Sequence, residues 1–99
     1  MIRAAQDCHS MAELRDSIDH LDRELVHLLA QRAKYIDRAI ELKPAEGLPA
    51  RIPDRVEAVV QNVIETAKSD GLDPALAEYL WRQLIDWSID REALKIDLV

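Results

Sequence analysis

Ninety-nine residues allow one small domain and no second one, and a fold of this size buries a modest share of its surface, so oligomerisation is a live option. Phe is absent and the four aromatics are Tyr35, Tyr79, Trp81 and Trp87; the 48% hydrophobic content therefore comes mostly from Ala, Leu, Ile and Val, which suits packed helices. Nineteen acidic against thirteen basic side chains give a net charge of -6, which argues against nonspecific nucleic-acid or anionic-membrane binding and leaves room for a local anion site.

Residues 1–9 read as a flexible lead without the apolar core of a signal peptide. Cys8 is the single cysteine, so no internal disulfide and no multi-cysteine metal site can form, and a reducing cytoplasm is the expected compartment. No run approaches the roughly 18 apolar residues that span a bilayer, so no membrane partner is expected.

Ser10-Met11-Ala12-Glu13 has the Ser-x-x-Glu spacing of a capping box, in which each side chain satisfies the other's backbone amide. From there Leu14, Ile18, Leu21, Leu25, Leu28, Arg32, Tyr35 and Ala39 alternate steps of four and three, holding one stripe on one side of a helix. No Gly or Pro interrupts before Pro44, which predicts a helix from Met11 to Leu42. Residues 43–52, with two prolines and a glycine, read as a loop. Pro53 suits the first turn of a second helix, whose apolar face is Val56, Val59, Val60, Val63, Ile64 and Ala67 and whose stop is Ser69-Asp70-Gly71. Asp73-Pro74 predicts the start of a third, carrying Leu76, Leu80, Trp81, Leu84, Ile85 and Ile89 and running to Leu94 or beyond.

A first helix of this length rises about 48 Å, against a radius of gyration of about 13 Å for a compact chain of this size. Part of its apolar stripe would stand in water unless a second subunit covered it, most simply across a two-fold axis. A plain coiled-coil hairpin is the alternative.

The informative positions are polar residues on apolar stripes. Arg32 lies between Leu28 and Tyr35, where an unpaired guanidinium would be costly to bury, so it wants a carboxylate, either from another helix or from a ligand. On the third helix, Trp81, Ile85, Ser88 and Glu92 share one face, and a Glu there must pair or take up a proton. A structural reading bonds Glu92 to Arg32 or Arg91. The functional reading has Arg32, Lys43 and Arg55 converge with Ser88 and Glu92 around a small dianion. His20, Glu24 and His27 have metal-compatible spacing but sit among charged neighbours, so no metal is assigned, and Cys8 lacks an evident base.

Leu14-Arg15-Asp16-x-Ile18-Asp19-x-Leu21-Asp22, Leu28-Leu29-Ala30-Gln31-Arg32, Lys43, Pro53-Asp54-Arg55 and Leu84-Ile85-Asp86-Trp87-Ser88 together resemble the all-helical chorismate mutase family, including its isochorismate-pyruvate lyase branch. The resemblance runs from about Asp7 to Ala93. It implies an all-α, intertwined homodimer of three-helix chains with two equivalent sites, Arg15 reaching across from the partner subunit. It also implies that Arg15 and Arg32 grip the two carboxylates of a dicarboxylate substrate and that Lys43 bonds a carboxylate and the ether oxygen of the breaking C–O bond. Arg55 would add positive potential, Ser88 a carboxylate hydrogen bond, and Glu92, where the family commonly has Gln, a second donor to the ether oxygen. Ile52, Val56, Ile85 and Ile89 would line the pocket, with residues 43–52 as an active-site loop.

Chemistry of this kind needs no nucleophile, metal or organic cofactor: the protein holds the enolpyruvyl side chain over the ring and stabilises charge on the ether oxygen. Two departures matter. Glu92 donates only when protonated, whereas Gln donates at any pH, so activity should fall as pH rises through its titration. Ile52 and Val56 stand where many mutases of the family have carboxylates that bind the ring hydroxyl; with the Asp7-Cys8 lead, that pair looks closer to the lyase branch. The expected activity is chorismate mutase, with isochorismate-pyruvate lyase second and a noncatalytic helical dimer third.

Overall fold

The computed structural model describes residues 3–99. Among the described residues it is all-helical, with α1 at Met11–Leu42, α2 at Pro53–Asp70 and α3 at Pro74–Ala93, joined by a loop over residues 43–52 and a short turn over residues 71–73. No helix among the described residues is long and apolar enough to cross a membrane. The chain divides into two compact units, the first ending at Tyr35 and the second spanning Ile36–Val99.

In the first unit, Ser10 caps α1 by accepting the Glu13 N–H at 3.1 Å. The Glu13 carboxylate reaches one residue further back than a capping box requires, accepting the His9 N–H at 3.0 Å. Of the expected flexible lead, residues 1 and 2 lie outside the described residues. The remainder is tied locally: Ala5–Asp7 form a 3-10 turn, the Arg3 N–H donates to Ser17 Oγ at 3.2 Å, and Cys8 Sγ lies 3.9 Å from the same hydroxyl. That contact explains why Ser17 is buried on a helix whose next turns are open. Every residue of α1 from 21 to 31 is exposed, including Leu21, Leu25 and Leu28 on the predicted stripe.

In the second unit, α2 and α3 pack against each other around Ala50, Val60, Ile85 and Ile89, flanked by Val56, Val59, Ile64, Ala93 and Ile96. The three-and-four spacing of the α2 valines thus overrides their β preference, because it gathers them on the face that α3 covers. Gly71 ends α2 at φ +75, with its own N–H donating to Lys68 O and the Leu72 N–H donating to Ala67 O at 2.9 Å, the paired bonds of a Schellman motif. Asp73 then caps α3 by accepting the Ala75 N–H at 2.9 Å, with Pro74 in the first turn.

α3 stops at Ala93, short of the expected Leu94. The chain turns there because the Lys95 and Ile96 amides both donate to Glu92 O at 3.0 Å. The tail then runs beside the loop before α2, where Ala50 N–H donates to Asp97 O and Arg51 N–H to Leu98 O, each at 2.8 Å. Within that loop, Pro44–Glu46 form a 3-10 turn closed by Gly47 at φ +70.

Candidate active site

Lys43 owes its place to the residue that follows it. Its N–H still donates to Ala39 O at 2.8 Å, but Pro44 cannot continue the helix, so Lys43 is fixed at the exit of α1. Its ammonium donates to Ala50 O at 2.9 Å and lies 2.7 Å from Glu92 Oε1. Glu92, in the last turn of α3, is 4% exposed, and the Lys43 side chain is 19% exposed. The two meet as a close ion pair, and Oε1 takes no other hydrogen bond among the described residues. Burial of the carboxylate is offset by that cation, so removing either partner would leave the other poorly solvated.

The structural pairing of Glu92 with Arg91 does not form. Arg91, about 100° around α3 from Glu92, holds Asp37 of α1 through two guanidinium hydrogen bonds, the Nη2 bond being 3.1 Å, and its guanidinium stands 5.5 Å from the Trp87 ring centroid. Hydrogen bonding to Arg91 keeps the Asp37 carboxyl below the usual carboxylate range and raises the Arg91 guanidinium. Arg91 is thus occupied elsewhere, and Lys43 meets Glu92.

Ser88, one turn before Glu92, is buried, and its hydroxyl donates to Leu84 O at 2.8 Å. Ile85 and Ile89 on the adjoining positions belong to the core between α2 and α3. Ile52 and Val56 are half-buried at the start of α2, so apolar side chains stand at both positions that were expected to face a ring.

Arg55 is exposed in the first turn of α2 and forms no ion pair among the described residues. A cation there opposes the positive end of the helix dipole, so its charge does not serve the fold locally. Arg15 is likewise exposed and forms no ion pair among the described residues, whereas Arg32 is half-buried and engaged. Both lie in the first unit. The structure thus brings Lys43 and Glu92 together, with Ser88 one turn away on α3.

Sequence reasoning missed the Ala50 carbonyl as a partner of Lys43. A main-chain acceptor leaves no side-chain signature; the one hint is the small residue following Pro49, which is 2% exposed. Two surface hollows, one of about 520 Å³ between residues 44–49 and the tail and one of about 400 Å³ beside Asp37 and Arg91, include neither Lys43 nor Glu92.

An all-helical chain that brings a lysine and a buried carboxyl into contact at the ends of two helices, with Arg15 and Arg55 exposed, has the features of an all-helical enzyme family. The chain belongs to the chorismate mutase type II family, whose pattern it matches over residues 14–93. It is 34% identical over 89 residues to the isochorismate pyruvate lyase of Pseudomonas aeruginosa, covering 89% of this chain and 86% of that protein. It is 25% identical over 76 residues to the chorismate mutase of Methanocaldococcus jannaschii, covering 77% of each. The T-protein of Enterobacter agglomerans is 32% identical over 82 residues, and there the match covers 22% of the longer protein. Family membership sets aside the reading of a noncatalytic helical dimer.

Proposed function

We propose that this chain is a chorismate mutase that converts chorismate to prephenate by pericyclic rearrangement. In this step the ether C–O bond breaks as a C–C bond forms, within one molecule and with no covalent intermediate on the enzyme. The observation that carries the proposal is the Lys43–Glu92 pair, a cation and a potential O–H donor held 2.7 Å apart at the ends of α1 and α3. Negative charge gathers on the ether oxygen in the transition state, and two fixed donors there stabilise it more than they stabilise the ground state.

Lys43 donates to the ether oxygen and to a substrate carboxylate. Protonated Glu92 is the second donor, its carboxyl exchanging the Lys43 contact for the substrate's ether oxygen. Arg32 and the partner subunit's Arg15 hold the two carboxylates as planar forks, Ser88 adds a hydroxyl, and Arg55 raises the local potential. The homodimer is part of the proposal: Ile18, Leu21, Leu25 and Leu28 lie 46% to 57% exposed along α1, and a second copy would cover them.

A second reading, isochorismate pyruvate lyase, is favoured by the similarity to the Pseudomonas aeruginosa enzyme over most of both chains and by the apolar Ile52 and Val56. That reaction uses the same grip on the carboxylates, while a ring hydrogen passes to the enolpyruvyl methylene as the C–O bond breaks.

Incubation with chorismate and with isochorismate separately, from pH about 5 to 8, decides between them. Prephenate from chorismate establishes the mutase, and salicylate with pyruvate from isochorismate establishes the lyase. No product above the uncatalysed rate at any pH overturns both.

A further inference from the structure

The tail after α3 touches the loop before α2 at the one peptide that also holds Lys43. The Ala50–Arg51 peptide offers its N–H, that of Arg51, to Leu98 O at 2.8 Å and its carbonyl, that of Ala50, to Lys43 Nζ at 2.9 Å, so one planar peptide group connects tail and ammonium, and the Ala50 N–H adds a bond to Asp97 O at 2.8 Å. The tail is anchored at its other end by Glu92, whose carbonyl accepts the Lys95 and Ile96 amides, and by Ile96, which packs against the core. Glu92 thus faces Lys43 with its side chain while its backbone launches the strap that orients Lys43. The circuit closes through Glu92, the tail, Ala50 and Lys43.

We propose that residues Ile96, Asp97 and Leu98 are positioning residues for Lys43: they fix the Ala50–Arg51 segment, and the Ala50 carbonyl in turn aims the ammonium at the place where the ether oxygen reacts. The Lys43 stem has four rotatable carbons, and an ammonium held by a single carboxylate could swing about it. A second fixed acceptor, the Ala50 carbonyl, restricts that swing and the directions open to the remaining N–H groups. Holding that donor is worth most in the transition state, because a misplacement of about 1 Å at a reacting centre costs up to about a hundredfold in rate. The loop is therefore strapped from outside, in contrast to a lid that orders only when substrate arrives. Its Ala50 and Arg51 amides are already bonded, and Arg51 adds an ion pair to Asp86 at 3.7 Å.

This inference rests on the roles assigned to Lys43 and Glu92 above. The test uses the full-length chain carrying Ile96→Ala, Ile96→Val, or the paired surface substitutions Asp97→Gly and Leu98→Gly, which leave the core untouched. Hydrogen exchange at the Ala50 and Arg51 amides reads the strap, and chorismate kinetics read its consequence. The expected result is exchange accelerated at least about tenfold and kcat lowered about fivefold with KM within twofold for Ile96→Ala and for the glycine pair, with Ile96→Val restoring most of both. Accelerated exchange with unchanged kcat overturns the proposal, as does a loss confined to KM. Unchanged exchange in the glycine pair also overturns it, since the tail then does not hold the loop. If the unsubstituted protein turns over neither chorismate nor isochorismate, the functional reading has failed. The ¹⁵N signal of the Lys43 ammonium then decides the positioning claim separately: it should shift in the glycine pair, and an unmoved signal sinks the claim.

Discussion

Lys43 and Glu92 share a 2.7 Å contact although one closes the first helix and the other closes the last. Their meeting is set by the helix stop at Pro44 on one side and by the diversion of Arg91 to Asp37 on the other. The pair is the firmest element of the candidate site, and most of the expected outcomes below turn on it.

In the proposed mechanism Lys43→Ala removes a donor to the ether oxygen, and in the structure it leaves a buried carboxyl without its cation. Steady-state kinetics should show kcat/KM down by about a hundredfold to a thousandfold. Thermal unfolding should show a loss of about 2 kcal/mol, less than for a fully buried pair because the lysine is partly solvated.

If Glu92 is the second donor proposed above, Glu92→Gln replaces a group that donates only when protonated with one that donates at every pH. The kcat/KM profile of the unsubstituted enzyme should fall toward high pH, and that of the variant should be flat across the same range. An identical slope in both proteins would remove Glu92 from the ether oxygen.

Arg15→Ala and Lys43→Ala should each be nearly inactive alone and recover activity when mixed, unfolded and refolded together. A mixed dimer has one site with both residues intact and one with neither, so the recovered rate should approach about a quarter of the unsubstituted value at equal mixing. Recovery stays absent if Arg15 serves its own subunit.

Asp37 and Glu57 are both held below the usual carboxylate range, by Arg91 and Arg82 respectively. A carboxyl that ionises more readily folded than unfolded contributes stability that is present above its unfolded titration and disappears as pH falls through the folded one. Urea midpoints should therefore drop as the solution is acidified below pH about 4. Asp37→Asn should lower the midpoint at neutral pH and reduce the acid dependence; an equal drop at all pH values would refute the assignment.

The helix bounds were legible because each is written in local chemistry: Ser10 before α1, Pro44 after it, Asp73-Pro74 before α3 and Gly71 with its positive φ after α2. The partner of Glu92 was not, since Arg32, Arg91 and Lys43 are all cations and the choice depends on which face of α3 turns toward the end of α1. The tail's grip on Ala50 was also hidden, because it is made of backbone groups that any residue could supply. Likewise the lead before α1 carries no periodic pattern, and its turn follows from the bond between the Arg3 amide and the buried Ser17 hydroxyl.

The Arg91–Asp37 bonds make the end of α1 a measured length. Asp37 and Lys43 sit on the same helix and contact α3 on two sides of its last turn, so the number of residues between them sets the angle between two docking points. One residue inserted among positions 38–42 would rotate Lys43 by about 100° relative to Asp37, and only one of the two contacts could then survive. The same insertion among positions 44–49 would lengthen a turn and leave both in register. Tolerance to insertions should thus change abruptly at Pro44, a boundary in evolvability that coincides with the last residue before it being the catalytic lysine candidate.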